Sequence, residues 1–363
     1  MTIGVLKEPS FEKRVSLLPE AVATLTKKGI QVWVERSAGE KAFAADEDYV
    51  KAGATIVTDA PGQAADLYLS IHAPEQLKGG VWIGNYQPLY EKERMQEWSR
   101  GGATVFSLDL LPRTTRAQSM DILSSQANIA GYKAVLAAAN EYSRYFPMFM
   151  TAAGTIAPAK VLILGAGVAG LQAIATAKRL GAVVEVFDTR PAVKEEVMSL
   201  GAKFIEVEGA ADASAAGGYA VEQSAEFQQR QKNKIAESIA KADIVITTAQ
   251  IPGKKAPVLI TRDMIASMRK GSVIVDLAAA TGGNTELTRS DATVQEQGVT
   301  IIGNSMLAAS VPSDASKLYG KNILNFLQLL LNKEQQLFLN WEDELVKGSC
   351  VMHDGSVVHE RLK

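Results

Sequence analysis

The residues best suited to chemistry form one phosphate-directed motif, Gly165-Ala-Gly167-Val-Ala-Gly170. A short apolar run at 160–164 precedes it and an amphipathic stretch at 168–180 follows it. In a strand–turn–helix of this pattern the first glycine permits the tight turn and the second lets the backbone approach a pyrophosphate. The third lets the helix pack closely on the sheet. The helix amino terminus then faces the phosphate charge. Asp188 ends the next apolar run, where a carboxylate accepts bonds from both ribose hydroxyls and repels a 2′-phosphate, so NAD(H) is favoured over NADP(H). Arg190 argues the other way, because an arginine near this strand end can pair with a 2′-phosphate. Asp188 occupies the ribose position itself, and NAD(H) is the expected cofactor.

A second cluster runs Arg113-Thr-Thr-Arg116-Ala-Gln118-Ser-Met-Asp121-Ile-Leu-Ser124-Ser125-Gln126. With Gln118 onward helical, Gln118, Asp121 and Ser124 (or Ser125) recur at spacings that share one polar face. An amide, a carboxylate and a hydroxyl together can hold a carboxamide such as that of nicotinamide. The competing reading is a helix amino terminus with capping side chains. A third feature is the low-complexity segment 210–218, which ends in Gly217-Gly218 and is followed by Tyr219. It buries little and has two hinges, so it is expected to be mobile, with Tyr219 able to close over a ligand. A plain surface loop is the alternative.

Short apolar runs alternating with amphipathic ones must position these residues, the rhythm of βα units around a parallel sheet. In the first stretch, strands are expected at 3–6, 31–35, 55–57, 67–71, 82–84 and 104–107, with helices at 19–28, 46–51 and 89–100. In the second, strands are expected at 160–164, 183–187, 203–207, 243–247, 272–276 and 300–302, with helices at 168–180 and 191–200. Residues 119–144 read as a helical connector broken at Gly131, 321–331 as a helix, and 351–358 as a hairpin turning at Asp354-Gly355. The expectation is an α/β chain of two Rossmann-like domains with parallel sheets, the second inserted in the first. The first would span 1–123 plus 313–363 and the NAD(H)-binding domain 124–312.

Composition narrows the class. The chain has 363 residues, 47% hydrophobic and 21% charged, an ordinary globular balance. With 38 basic and 40 acidic residues the net charge is -2, which argues against a protein held mainly to nucleic-acid phosphates. One cysteine, Cys350, excludes an internal disulfide framework, and one cysteine with three histidines argues against a Cys/His metal site, so no metal is expected. No signal peptide or membrane span is read, so the chain is expected to be soluble.

These motifs together resemble domain I of proton-translocating nicotinamide nucleotide transhydrogenase, the NAD(H)-binding component. The resemblance covers nearly the whole chain: RTTRAQSMDILSSQANIAGYK at 113–133, TAAG at 151–154, the glycine motif and helix at 165–181, and Gly217-Gly218-Tyr219. It continues through ITTAQIPGKKAP at 246–257, residues 271–276, Gly282-Gly283-Asn284 and 314–326. It implies nicotinamide-end contacts, counted with the catalytic set, at Arg113, Gln118, Asp121 and Ser124, with Gln118 also reaching toward the partner domain that carries NADP(H). It implies cofactor contacts at Gly165, Gly167, Val168, Gly170, Asp188, Thr189 and Arg190. The mobile-loop residues fall on Gly218 and Tyr219, and Gln250 falls on the nicotinamide side, where family members carry an aliphatic residue. The implied activity is hydride transfer between NADH here and NADP⁺ on a partner domain, coupled to proton movement through a membrane subunit. The implied setting is a homodimer at the cytoplasmic face of the inner membrane, attached through partner subunits.

The runner-up is a stand-alone alanine dehydrogenase, which has the same two-domain fold and a similar amino-terminal segment, with Arg14 at its substrate-carboxylate arginine. That enzyme needs a lysine at His72, a histidine near 85–86 and an aspartate at Ala280, and this chain lacks all three. Transfer of hydride to an imino acid needs an acid–base group beside the reacting carbon. A non-enzymatic NAD(H)-binding protein is the third reading.

Overall fold

The computed structural model of the chain describes residues 1–58, 60, 63–77, 79–207 and 224–363. The 210–218 segment, Gly218 and Tyr219 therefore lie outside the described residues. The chain divides into two compact units, Met1–Gln126 with Ala308–Lys363, and Ala127–Leu307.

The first unit opens with β1 (Thr2–Val5), α1 (Pro19–Thr26), β2 (Gln31–Glu35), α2 (Asp46–Lys51) and β3 (Thr55–Val57). It continues through β4 (Leu67–Leu69), β5 (Val81–Gly84), α3 (Lys92–Ser99) and β6 (Thr104–Ser107). Helix α4 (Ile122–Glu141) contains the boundary to the second unit.

The second unit holds β7 (Phe149–Thr151), β8 (Gly154–Ile156), β9 (Lys160–Leu164), α5 (Val168–Arg179), β10 (Val183–Phe187), α6 (Lys194–Ser199) and β11 (Lys203–Phe204). It goes on with α7 (Ala225–Ile239), β12 (Ile244–Thr247), α8 (Arg262–Ala266), β13 (Val273–Asp276), β14 (Thr293–Glu296) and β15 (Val299–Ile302). The chain then returns to the first unit as α9 (Pro312–Leu327), α10 (Glu344–Ser349), β16 (Cys350–His353) and β17 (Ser356–Val357).

Each sheet has the doubly wound order. In the first unit it runs β3-β2-β1-β4-β5-β6, extended by β16 and β17; in the second, β11-β10-β9-β12-β13-β15, extended by β14. The extensions are antiparallel and the six-strand cores parallel. Connections on both sides of the first strand create a reversal point, β1/β4 in one unit and β9/β12 in the other, where doubly wound sheets bind ligands. Strand β14 and the hairpin β7–β8 were not anticipated from sequence.

Parallel strands covered on both faces must be apolar throughout, and β9 illustrates it. Val161 and Ile163 pack on one face with Ala173, Ile174 and Ala177 of α5. Leu162 and Leu164 pack on the other with Ile235 and Ile239 of α7 and with Met264 and Ile265 of α8. Each Val, Leu, Ile or Met among them contributes about 1.5–3 kcal/mol of burial, and the alanines less. This wall fixes the carboxyl end of β9, from which the glycine motif emerges. In the first unit α9 buries Ala315, Tyr319, Ile323, Phe326 and Leu327 on one face, and Phe326 meets Phe106 edge-on at 5.6 Å between ring centroids.

Candidate functional site

The glycine motif turns as its sequence requires. Gly165 has φ +105°, which side chains rarely adopt. A methyl on Gly170 would drive into the Gly165 carbonyl oxygen, so the third glycine is what lets α5 approach the turn. A methyl on Gly167 would meet open space, so the backbone is bare toward solvent where a diphosphate must approach. Gly167 is the N-cap of α5, and among the described residues no side chain caps this end, which leaves its first N–H groups able to bind an anion. Val168 stands exposed on the first turn, while Lys178 and Arg179 in the last turn complement the helix dipole. These features fit a dinucleotide diphosphate.

Asp188, just beyond β10, joins the same turn. Its Oδ2 accepts the Ala166 N–H at 2.7 Å and the Arg190 Nη2 at 2.7 Å. Its Oδ1 accepts the Arg190 backbone N–H at 2.8 Å and Nε at 2.9 Å. The bond to Asp188 raises the Arg190 guanidinium above its ordinary pKa. A carboxylate offers about four lone-pair sites, and here four N–H donors use them. Ribose hydroxyls can reach Asp188 only as Arg190 gives up at least one of its bonds. Arg190 is thus the counter-ion of Asp188. Thr189 lies half-buried between the two.

On the other side of β9, the segment after β12 completes the turn's wall. Thr248 donates its backbone N–H to Leu164 O at 2.9 Å, and its hydroxyl donates toward Leu164 O and Gly165 O at 3.3 and 3.2 Å. Gln250 is exposed, and its Nε2 donates to Leu277 O at 2.9 Å. That bond ties the β12 loop to the end of β13. In the sequence, Thr248 carries no signal beyond its place within the resembling motif 246–257.

In the first unit the expected polar helix face is corrected. Gln118 lies in a 3-10 turn, Thr115–Met120, and Asp121 breaks away with ψ 95° before α4 begins at Ile122. Asp121 instead accepts the Ser124 N–H at 2.9 Å and the Ser124 hydroxyl at 2.6 Å. An aspartate at a helix start satisfies amide groups that have no intrahelical partner, and here that outcompetes continuing the helix. So Asp121 and Ser124 come together as a cap, whereas Gln118 projects separately and exposed, as Arg113 does. Gly131 does not break α4. A side chain there would strike the Ala169 carbonyl, so this glycine is a close-approach residue inside a continuous helix.

At the reversal point of the first unit the chain's own acidic and basic side chains pair with one another beside a small cavity lined by Lys7, Glu8, Glu12 and Arg14. Glu8 accepts the N–H groups of Ile71 and His72 at 2.5 and 3.0 Å, and burial pushes its carboxyl up to about 7. Glu12 is buried, which would raise its pKa, but bonds from His72 and Arg14 outweigh burial and hold it well below the carboxylate range. Arg14 donates Nε and Nη2 to Glu12 at 2.9 and 2.6 Å and Nη1 to Gln126 at 2.8 Å. A guanidinium so engaged has its carboxylate partner already. Arg14 would have to give up at least one of these bonds to take the 2-oxo acid that the dehydrogenase reading requires.

Among the described residues there is no group of acidic, histidine or cysteine side chains able to hold a metal ion, and no helix long and apolar enough to cross a membrane.

Known proteins are similar to this chain in sequence and in fold. Residues 4–130 match the family described as alanine dehydrogenase/PNT, N-terminal domain, and 134–360 its C-terminal domain. A chain of the NAD(P) transhydrogenase alpha subunit of Rhodospirillum rubrum, the first of that subunit's segments, is 46% identical over 380 residues, covering 100% of this chain and 99% of that protein. The crystal structure of transhydrogenase from Sinorhizobium meliloti is similar with TM-score 0.90 and 46% identity, covering 99% of this chain and 100% of that one. A solved L-alanine dehydrogenase is similar with TM-score 0.79 and 26% identity, covering 100% of this chain and 98% of that one.

Proposed function

The chain belongs to the alanine dehydrogenase/PNT family, and from that premise we propose that it is the NAD(H)-binding component of a proton-translocating transhydrogenase. It transfers hydride between NADH and NADP⁺ held on a partner domain. The observation that carries the reading is the bare glycine turn beside Asp188, in a chain matched end to end by a transhydrogenase alpha subunit. The lower identity to alanine dehydrogenase and the engaged Arg14 support it over the runner-up.

NAD(H) supplies the hydride at C4 of its nicotinamide ring when bound. The chain's residues bind and orient. The α5 amino terminus and the Gly167 backbone hold the diphosphate, and Asp188 holds the ribose hydroxyls once Arg190 loosens. Val168, Thr189, Gly218, Tyr219 and Gln250 belong to the proposed cofactor set. Arg113, Gln118, Asp121 and Ser124 are proposed to serve the nicotinamide end, where orientation and exclusion of water decide the rate. Coupling to proton movement, a homodimer and attachment to a membrane through other subunits complete the proposal.

Cofactor titration by fluorescence tests the binding half. The chain should bind NADH in preference to NADPH, and Asp188→Ala should weaken NADH by about 1–3 kcal/mol, the scale for losing charge-assisted bonds, while narrowing the preference. Unchanged NADH affinity in that variant would remove Asp188 from the ribose site.

A further inference from the structure

Asn284 is fully buried and lies eight positions beyond the end of β13. Its backbone is held at both ends: its N–H donates to Asp276 Oδ2 at 2.6 Å, and its carbonyl accepts the N–H groups of Leu259 and Ile260 at 2.8 and 3.0 Å. From this anchor its carboxamide reaches Ala249. Oδ1 accepts the Ala249 N–H at 3.0 Å, and Nδ2 donates to Ala249 O and to Pro257 O, both at 2.8 Å. A carboxamide carries the same donor and acceptor as a peptide group, so Asn284 pairs with Ala249 as a neighbouring strand would, just where β12 has ended.

The peptide so held is next to the glycine turn. Thr248 touches Leu164 and Gly165 from one side, Gln250 is tied to Leu277 on the other, and Ala249 between them is gripped by Asn284. Sheet order places β10 and β12 on opposite sides of β9. A dinucleotide laid across this reversal point has its adenosine over β10, where Asp188 stands, and its nicotinamide half over β12.

We propose that Asn284 is a positioning residue for the nicotinamide half of the bound dinucleotide, fixing the Ala249 peptide and thereby the surface that Thr248–Gln250 presents beside the Gly165 turn. The inference rests on the NAD(H)-binding reading. Asn284→Ala leaves the Ala249 and Pro257 groups without these partners while the Asp188 side of the site is untouched.

The test is calorimetric titration of the full-length chain with NADH and with 5′-AMP, which engages only the adenosine side. For Asn284→Ala the NADH dissociation constant should rise about tenfold, the scale of losing buried hydrogen bonds, while that for 5′-AMP changes by less than about twofold. Circular dichroism establishes that the variant is folded. If it is not, the split is read on Asn284→Ser, which keeps a small polar group. Affinities for both ligands equal to the native chain's would overturn the proposal. So would parallel weakening of both, which marks a structural role only. A native chain that bound neither ligand would instead overturn the cofactor reading on which the proposal stands.

Discussion

A Gly170→Ala chain should bind NADH about 10²-fold more weakly than the native chain, the scale of a geometric misplacement in a preorganised site. The added methyl has no room, since it points into the Gly165 carbonyl oxygen, and that oxygen belongs to backbone held on β10 through the Gly165 N–H bond to Phe187 O at 2.8 Å. The remaining freedom is for the first turn of α5 to retreat from the sheet. Retreat separates the Gly167–Val168 amides from the turn they form with Gly165 and dissolves the proposed diphosphate cradle. Part of the cost falls on folding, because Gly170, Ala173 and Ile174 are buried against β9. Overpacking here should destabilise by about 1–3 kcal/mol in thermal unfolding. Native affinity in the alanine variant would mean that the turn is not where the diphosphate sits.

The second large effect is on transfer rather than binding. Gln118 has no titratable proton, so the service proposed for it is to orient the nicotinamide. Its platform is firm: Ala117 and Met120 on the same turn are buried, and Ser119 O accepts bonds from Asn322 Nδ2 at 2.8 Å and Asn325 Nδ2 at 2.9 Å on α9. A side chain on so fixed a base cannot compensate for a lost methylene. Gln118→Asn should slow hydride transfer by roughly 10²-fold while NADH affinity changes little, since misplacement by about 1 Å costs that much in a reaction governed by alignment. Single-turnover kinetics beside an NADH titration separate the two. A normal transfer rate would take Gln118 out of the site.

How far the sequence carried is clearest at β9 and α5. An apolar run, three glycines at fixed spacing and a downstream aspartate are local signals with local causes, and the turn and the Asp188–Ala166 bond follow from them. The connector after Gln118 was not so legible. Residues 122–141 are rich in alanine and small residues with little contrast between faces, so periodicity does not locate the start of the helix, and the Asp121 cap does. Gly131 misled because a glycine marks a break or a close approach equally well, and only the position of Ala169 decides between them. Strand β14 was hidden because its residues, Thr293–Glu296, alternate in burial at a sheet edge instead of forming an apolar run. Asn284 was invisible as a functional residue for a related reason. Its partners, Ala249 and Pro257, are 35 and 27 positions away and are backbone groups, which leave no mark in side-chain chemistry.

The central claim is direct hydride transfer from NADH on this chain to NADP⁺ on a separate domain, and isotope transfer tests it most directly. The chain loaded with NADH carrying two deuterium atoms at C4 is mixed in a stopped-flow quench apparatus with an isolated NADP(H)-binding domain of a transhydrogenase carrying NADP⁺, and the NADPH is analysed by mass spectrometry. Deuterium is expected in NADPH only when both proteins are present, with none lost to water and no NADH formed from alanine and NAD⁺ by the chain alone. Deuterium in solvent, NADPH without label, or robust alanine oxidation by the chain alone would contradict that claim.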